Sequence, residues 1–240
     1  MTELAVASLP DFHRAIKEHL WPGTLFRGVN DAVRHVLKPS LGRYATSGDT
    51  GYFSPNELLE REREALYSFS IVALPYVRRE IRNDLELMTI AQHHGLPTRL
   101  LDWTFNPLVG LYFAVSANYG EDGAVFAIRN RDIEWYHLHK SESLNPFTVD
   151  RVFALLPYQV SERVNPQASV FTIHPDPTIA FEPDYLFKFV IPASAKLEIE
   201  EHLSWCGIHA HNLFPGLDGV SNNLKRIFFD RVRHGAGVVA

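Results

Sequence analysis

An arginine followed by a glycine closes a short apolar run near the start of the chain, in TLFRG over residues 24–28. A guanidinium is permanently charged and is rarely buried without a partner, so a strand ending in Arg27 should direct that charge at a specific group. Gly28 has no side chain, which lets a ligand or another backbone approach closely. We therefore predict that Arg27 and Gly28 border a binding site.

The densest group of chemically capable side chains lies within residues 91–115. A predicted strand ends in Asp102, Trp103 and Thr104 and turns at once into a helix, so a carboxylate, an indole and a hydroxyl share one edge. The first backbone N–H groups of that helix favour an anion at the same edge. The positions of the group are Gln92, His93, His94, Thr98, Arg99, Asp102, Trp103, Thr104 and Asn106.

Each of these residues also has a purely structural interpretation. Asp102 or Asn106 caps the helix, Arg99 pairs with Asp102, and Trp103 fills the core. Taken singly, the residues favour that interpretation, whereas the cluster as a whole favours a functional site.

Composition and charge limit the classes of protein to consider. The chain has 240 residues, of which 46% are apolar and 21% are charged, as in an ordinary globular protein. The net charge of −5 gives no general affinity for nucleic acid, although a local basic groove stays possible. The single cysteine, Cys206, excludes an internal disulfide and indicates a reducing compartment. With no predicted signal peptide or membrane span, we expect a cytoplasmic protein without a membrane partner.

Hydrophobic periodicity and capping residues predict the elements that must position the site. Helices are predicted over residues 8–20, 54–75, 79–94, 106–115, 195–205 and 220–228. Strands are predicted over residues 24–27, 98–104, 123–128, 168–173 and 185–191. Helices thus gather in the first half and strands in the second, with no regular alternation and no apparent linker. This pattern predicts one α+β domain over residues 1–240.

The histidine pairs are weak metal-site candidates, and no phosphate-cradling GxxxxGK[ST] or GxGxxG follows a strand. His93 and His94 are adjacent and would point to different sides of a regular element, although one could act as an acid or base near Arg99. His209 and His211 have strand spacing, which would place both rings on one face, but a third ligand is missing. No metal site is predicted, and a metal-dependent hydrolase built on His93, His209 and His211 is the weakest alternative.

Two motifs together resemble the FRG domain family, which is named for the first of them. They are FRG at residues 26–28 and HHGLPTRLLDWTxNP at residues 93–107. The similarity spans about residues 24–230 and includes RxNxQxxxF at residues 163–171 and LFPGLDG at residues 213–219. The resemblance implies a single FRG domain in this chain, with an N-terminal helix at about residues 8–20 and the motif-bearing core after it.

The motif order is also similar to ADP-ribosyltransferases of the arginine, serine, glutamate class. In that class a first strand supplies an arginine to the phosphates of NAD, a second carries Ser-Thr-Ser into a helix, and a third carries a glutamate. Residues 25–28 resemble the first element, and residues 101–104 leading to residues 111–114 resemble the second. The third departs from the class, because Gln167 stands about where the glutamate is expected and an amide cannot act as a carboxylate base.

The resemblance implies a mostly antiparallel split sheet with flanking helices and a transferase function. The implied reaction is NAD-dependent transfer of ADP-ribose to a protein or nucleic acid, in a bacterial toxin or anti-phage effector with a possible antitoxin partner. A planar guanidinium suits the two phosphates of NAD, and a carboxylate suits the oxocarbenium-like centre that forms when nicotinamide leaves. A non-catalytic nucleotide or nucleic-acid binding module with the same pocket is the alternative.

The expected catalytic residues are Arg27, Asp102, Thr104 and Gln167. The expected NAD contacts are Arg27, Gly28, His94, Thr98, Arg99, Trp103 and Asn106. Asp218 is a further candidate to stabilise the transition state, and Trp103 or Tyr112 is expected to stack on nicotinamide.

Overall fold

The computed structural model describes residues 1–45, 53–76, 81–136, 144–156 and 168–230. The helices in this part of the chain are α1 (Leu9–His19), α2 (Pro55–Val72), α3 (Asp84–His93), α4 (Pro107–Val115), α5 (Lys196–Trp205), α6 (Ala210–Leu213) and α7 (Leu217–Lys225). The strands are β1 (Thr2–Ala5), β2 (Leu25–Val29), β3 (Leu100–Thr104), β4 (Gly123–Ile128), β5 (Trp135–Tyr136), β6 (Phe153–Leu155), β7 (Ser169–Ile173) and β8 (Leu186–Ile191). The α+β class is confirmed.

All eight strands belong to one sheet in the order β1-β8-β4-β2-β3-β7-β6-β5. Every pair is antiparallel except the two outermost, β1 with β8 and β5 with β6, so the mostly antiparallel sheet is confirmed. The strands β2 and β4 run side by side from Leu25 to Val29, whereas β2 and β3 meet only where Phe26 lies opposite Thr104. The sheet is therefore continuous but has a weak seam between β2 and β3.

Capping side chains fix where the helices begin. Ser54 and Glu57 form a reciprocal capping box at the start of α2. Asn106 caps α4 as predicted, since its side-chain oxygen accepts a hydrogen bond from the N–H of Leu108 at 3.0 Å. The predicted start of α3 at residue 79 is wrong, because the side chain of Asn83 accepts the N–H of Glu86 at 2.9 Å and begins the helix at Asp84.

Other sequence predictions need correction as well. Strands and helices are not segregated, since β1, β2 and β3 all precede residue 105 and three helices follow residue 195. The helix predicted over residues 220–228 begins at Leu217, and residues 226–230 continue it as a π-helical turn. The strand spacing assigned to His209 and His211 is wrong, because His209 precedes the short helix α6 and His211 lies within it.

The helices cover one face of the sheet in two groups, to either side of the seam. One group includes α1, α4 and α5, whose apolar side chains pack on β2, β4 and β8 around Phe26, Val125 and Phe189. The other includes α2 and α3, which pack on β3, β6 and β7 around Leu100 and Phe171. A third apolar cluster, on the strand positions that alternate with these, contains Leu25, Trp103 and Phe126. A groove is therefore expected between α3 and α4, above the seam.

Gly28 lets α4 approach β2 closely enough to form one wall of that groove. A Cβ on Gly28 would lie 1.9 Å from the carbonyl oxygen of Gly110 and 2.7 Å from the backbone nitrogen of Ala114. Since no side chain fits in that space, the glycine serves the approach of another backbone, which is one of the two roles predicted for it.

Candidate functional site

A cleft of about 300 Å³ opens at the seam, between the ends of α3 and α4. One wall is apolar and carries Phe26, Val109, Phe113 and Phe214. The facing residues are mainly polar, namely Arg27, Gly28, Gln92, His93, Asp102, Trp103, Thr104 and Ser169. A concave site with one apolar wall and a few convergent polar groups is typical of small-molecule binding.

Arg27 occupies the gap that opens where β2 and β3 diverge. Its Nη1 donates to the backbone carbonyl of Asp102 at 2.7 Å and lies 3.5 Å from the Asp102 carboxylate. The guanidinium therefore takes the place that a backbone N–H of β2 would fill in a regular ladder. Its side chain is 15% exposed, and it lies beside the carboxylate of Asp102.

Within the residues that the structure describes, Arg27 does not use all of its hydrogen-bond donors. Among the described residues, Nη1 makes all the side-chain contacts, and the buried Nε has no hydrogen-bond partner. Burial lowers the pKa of Arg27 and the charge of Arg43 lowers it further, while the carboxylate of Asp102 opposes both. An arginine remains charged at neutral pH, so a desolvated cation with an unused donor lies at the cleft wall.

Asp102 projects into the cleft with one oxygen held and the other open. Its Oδ2 accepts from Nε2 of Gln92 at 3.1 Å and faces Nη1 of Arg27. Within the described part of the chain, Oδ1 has no hydrogen-bond partner, and the side chain is 57% exposed. The carboxylate is thus oriented by two donors and still able to accept a proton or a hydrogen bond from a ligand.

Gln92 joins the cleft to the strand that carries Asp102. Its Nε2 also donates to the carbonyl of Leu100 at 3.3 Å, and its Oε1 accepts a short hydrogen bond from the hydroxyl of Thr98. Thr98 is buried and also accepts the N–H of Leu100 at 3.1 Å, so it supports Gln92 instead of lining the cleft.

Arg99 lies outside the cleft in a buried ion pair. Its Nε and Nη2 donate to Oε2 of Glu62 at 2.8 and 2.7 Å, and its backbone N–H donates to Oε1 at 2.8 Å. Both side chains are 2% exposed. The guanidinium therefore joins α2 to β3, and the pairing of Arg99 with Asp102 in the structural interpretation is wrong, because Asp102 pairs with Arg27.

At the end of β3 and the start of α4, some side chains line the cleft and others have the structural roles considered above. The hydroxyl of Thr104 accepts the N–H of Asn106 at 3.0 Å and lines the cleft, whereas the side chain of Asn106 is used as the cap of α4. Trp103 borders the cleft, but its ring is buried and its Nε1 donates to the hydroxyl of Thr172 at 3.0 Å. Trp103 is thus a core residue that also closes the cleft floor.

Other predicted residues lie elsewhere. His94 is exposed at the end of α3, and its neighbour His93 lines the cleft instead. Gln167 lies outside the described residues. Tyr112 is buried, and its hydroxyl accepts a hydrogen bond from Arg226 at 2.8 Å on the far side of α4. Asp218 lies in the first turn of α7 and does not line the cleft.

The apolar wall of the cleft includes two phenylalanines that the sequence prediction missed. Phe113 and Phe214 contact each other edge to face, with ring centroids 6.1 Å apart. Phe113 follows Val109 by one helical turn, so the periodicity of α4 already placed both on one side. Phe214 belongs to the LFPGLDG motif, and Ser169 lies opposite Thr104 in the β3–β7 ladder. The motif marks Phe214 without giving its place, and strand pairing alone brings Ser169 to the cleft.

Two further findings concern the described residues only. No three side chains of the metal-ligating types gather closely enough there to hold a metal ion, and His209 and His211 stack with ring centroids 6.1 Å apart. No helix in this part of the chain has the length and apolar character that crossing a bilayer requires.

Comparison with known families identifies part of the chain. Residues 23–123 match the FRG domain family. No curated protein and no solved structure matches the chain. The match covers the first half of the span predicted from the motifs and includes nearly all of the cleft, from Phe26 to Phe113, whereas Ser169 and Phe214 lie beyond it. Residues 23–123 of this chain therefore resemble an FRG domain.

Proposed function

We propose that this protein is an NAD-dependent ADP-ribosyltransferase that modifies a macromolecular acceptor. The observation that supports this most is Arg27, a mostly buried guanidinium that lines the cleft and pairs only with Asp102 among the described residues. Phosphate oxygens are the natural partners of such a group, since the guanidinium fork binds them in bidentate fashion. The resemblance of residues 25–28 and 101–104 to the transferase class gives the same assignment.

The size of the cleft suits one end of a dinucleotide. At about 300 Å³ it is at the lower end of small-molecule sites, so it fits the nicotinamide ribose better than the whole of NAD. Phe113 and Phe214 offer the aromatic surface for the nicotinamide ring, and Arg27 holds the adjoining phosphates. This replaces Trp103 and Tyr112 as the stacking residues.

The transfer step balances with the residues of the cleft. The bond between nicotinamide and C1′ of the ribose breaks, and its electron pair leaves with nicotinamide. A nitrogen or oxygen nucleophile of the acceptor bonds to C1′ and gives up a proton. In this proposal Asp102 stabilises the positive charge at C1′ and accepts that proton on Oδ1, while Gln92 and Arg27 hold Oδ2 in place.

A non-catalytic nucleotide-binding module is the second candidate. It is favoured by Gln167, because an amide at the position of the class glutamate cannot remove a proton. In that case the cleft binds a nucleotide through Arg27 and leaves it intact.

Incubation with NAD labelled in the adenosine part separates these candidates. The purified protein is mixed with cell lysate, and both label transfer and nicotinamide release are measured. We expect transfer by the wild type, a strong reduction for Asp102→Asn, and no change for Arg14→Ala, since Arg14 is an exposed residue of α1. If the wild type shows no label transfer and no nicotinamide release, the enzyme is rejected. Binding of NAD without either reaction would then favour the binding module.

A further inference from the structure

A second cavity, of about 420 Å³, lies beside the segment of residues 34–45. We call it the basic pocket, because its lining includes Arg34, His35, Lys38 and Arg43. Among the described residues that line it, none is an aspartate or a glutamate. Three permanent cations and a histidine therefore surround one cavity in a chain whose net charge is −5.

The fold does not neutralise most of this charge. Within the described residues, the side chains of Lys38 and Arg43 have no ion pair or hydrogen bond. Arg34 faces the carboxylate of Asp31 at 3.7 Å, but its side chain is 79% exposed, so this pair is weak. Cations without protein partners create a positive potential that attracts an anion into the cavity.

The backbone that carries these cations is fixed to the sheet. The N–H of Leu41 donates to the carbonyl of Thr98 at 3.2 Å, and the hydroxyl of Ser40 accepts the N–H of Thr98 at 3.3 Å. Gly42 packs so tightly that a Cβ there would lie 1.7 Å from the carbonyl oxygen of Pro177. The basic pocket is thus preorganised, which lowers the entropy cost of binding a ligand.

The basic pocket lies within electrostatic reach of the cleft. Burial lowers the pKa of His35, and the charges of Arg43 and Arg27 lower it further. Arg43 likewise lowers the pKa of Arg27. The segment of the basic pocket is also joined to the cleft through Thr98, whose N–H donates to Ser40 and whose hydroxyl donates to Gln92.

We propose that the basic pocket binds the backbone phosphates of a single-stranded nucleic acid, and that this strand is the acceptor of the ADP-ribose. Tyr44 follows Arg43 and is 43% exposed, so its ring is available for stacking with an unpaired base. A duplex keeps its bases stacked inside and cannot use Tyr44, and an acidic peptide offers no bases. A lipid surface would need a flat basic face, whereas these cations line a cavity.

Oligonucleotide binding without NAD tests this inference directly. Fluorescence anisotropy is measured with a short labelled single strand of DNA or RNA, the matching duplex, and polyglutamate as a competitor. If three cations contact phosphates, log Kd should change with log salt with a slope of about 2, since each phosphate contact on a single strand contributes about 0.7. Arg43→Ala and Lys38→Ala should each lower that slope by about 0.7 and weaken binding about fivefold at roughly 0.1 M salt.

Two further variants separate stacking from general charge. Tyr44→Ala should weaken binding of the single strand by about fivefold or more and leave the salt slope unchanged. Arg131→Ala, which removes an exposed arginine outside the basic pocket, should change neither quantity. All variants should keep the melting temperature of the wild type. Equal binding of the duplex, equal competition by polyglutamate, or full affinity in Arg43→Ala would overturn the inference.

The inference that the bound strand is the acceptor rests on the proposed function. Strand binding by the basic pocket and the transferase activity can fail separately. Single-strand binding with no transfer of label from NAD would keep the basic pocket and reject the transferase. Transfer of label to protein without any binding of oligonucleotides would keep the transferase and reject the basic pocket as an acceptor site.

Discussion

Glu62→Gln should destabilise the whole protein, because Glu62 is the partner of a buried arginine. The substitution keeps the size of the side chain and removes the charge that faces Nε and Nη2 of Arg99. Among the described residues, the only other hydrogen-bond partner of the Arg99 guanidinium is the carbonyl of Pro175, and that contact is long, at 3.5 Å. Both side chains of the pair are 2% exposed, so water cannot replace the lost carboxylate.

Breaking a buried ion pair in this way costs about 3–5 kcal/mol. In a chain of this length each kcal/mol lowers the melting temperature by about 2–4 °C, so we expect a decrease of about 6–20 °C. Urea titration followed by circular dichroism measures the free energy of unfolding. Glu64→Gln, at an exposed position of the same helix, is the matched control and should stay within about 0.5 kcal/mol of the wild type.

A double variant separates the ion pair from the local packing. Replacing both partners, in Glu62→Leu with Arg99→Met, should recover most of the lost stability, because neither charge is then left buried without a partner. A loss below about 1 kcal/mol for Glu62→Gln, or a double variant no more stable than the single one, would refute the structural role assigned to Arg99.

Three further predictions concern packing, protonation and positioning. Gly28→Ala should lower the free energy of unfolding by about 1–3 kcal/mol in urea titrations, because the new Cβ would meet the backbone of α4. Gly120→Ala is the control, since no atom lies within 4 Å of a Cβ there. Equal effects of the two substitutions would contradict the close approach of α4 to β2. Burial lowers the pKa of His174 to about 4, so the unfolded chain binds a proton that the folded protein does not, and stability should fall by about 3 kcal/mol as the pH decreases from about 6.5 to 4. His174→Gln should weaken the dependence of the free energy of unfolding on pH, and an unchanged pH profile in this variant would contradict the role given to His174. Gln92→Ala should slow label transfer from NAD about fivefold, since one hydrogen bond that orients Asp102 is lost, and an unaltered rate would argue against this role.

Local signals in the sequence were sufficient for much of the fold. The Asn-Pro pair at residues 106–107 marked the start of α4, and the Ser-Pro pair at residues 54–55 marked that of α2, because a cap is formed by residues only two or three apart. The strands β1, β5 and β6 were missed, since they have two to four residues each and too few positions to show an alternating pattern. Their existence depends on pairing with distant strands.

The candidate site was predictable in its residue types and less so in its partners. Arg27 and Asp102 were both predicted as site residues, and the structure places them side by side at the cleft. Arg99 belongs to the same motif, but its partner Glu62 lies 37 positions earlier, on α2. Only the packing of α2 against β3 shows that this arginine forms a structural ion pair. Gln92 belongs to the cluster predicted within residues 91–115, and its contact with Asp102 depends on how α3 lies against β3.

The most direct test of the role of Arg27 is calorimetric titration of NAD into the wild type and Arg27→Ala. Loss of a hydrogen-bonded charge partner costs about 1.5–3 kcal/mol, so the Kd for NAD should rise about 10-fold to 150-fold while the fold is kept. Arg27→Lys, which keeps the charge but not the guanidinium fork, should be intermediate, and Arg14→Ala should match the wild type. A wild type that gives no heat of binding, or an Arg27→Ala variant with an unchanged Kd, would contradict a cleft built around this arginine.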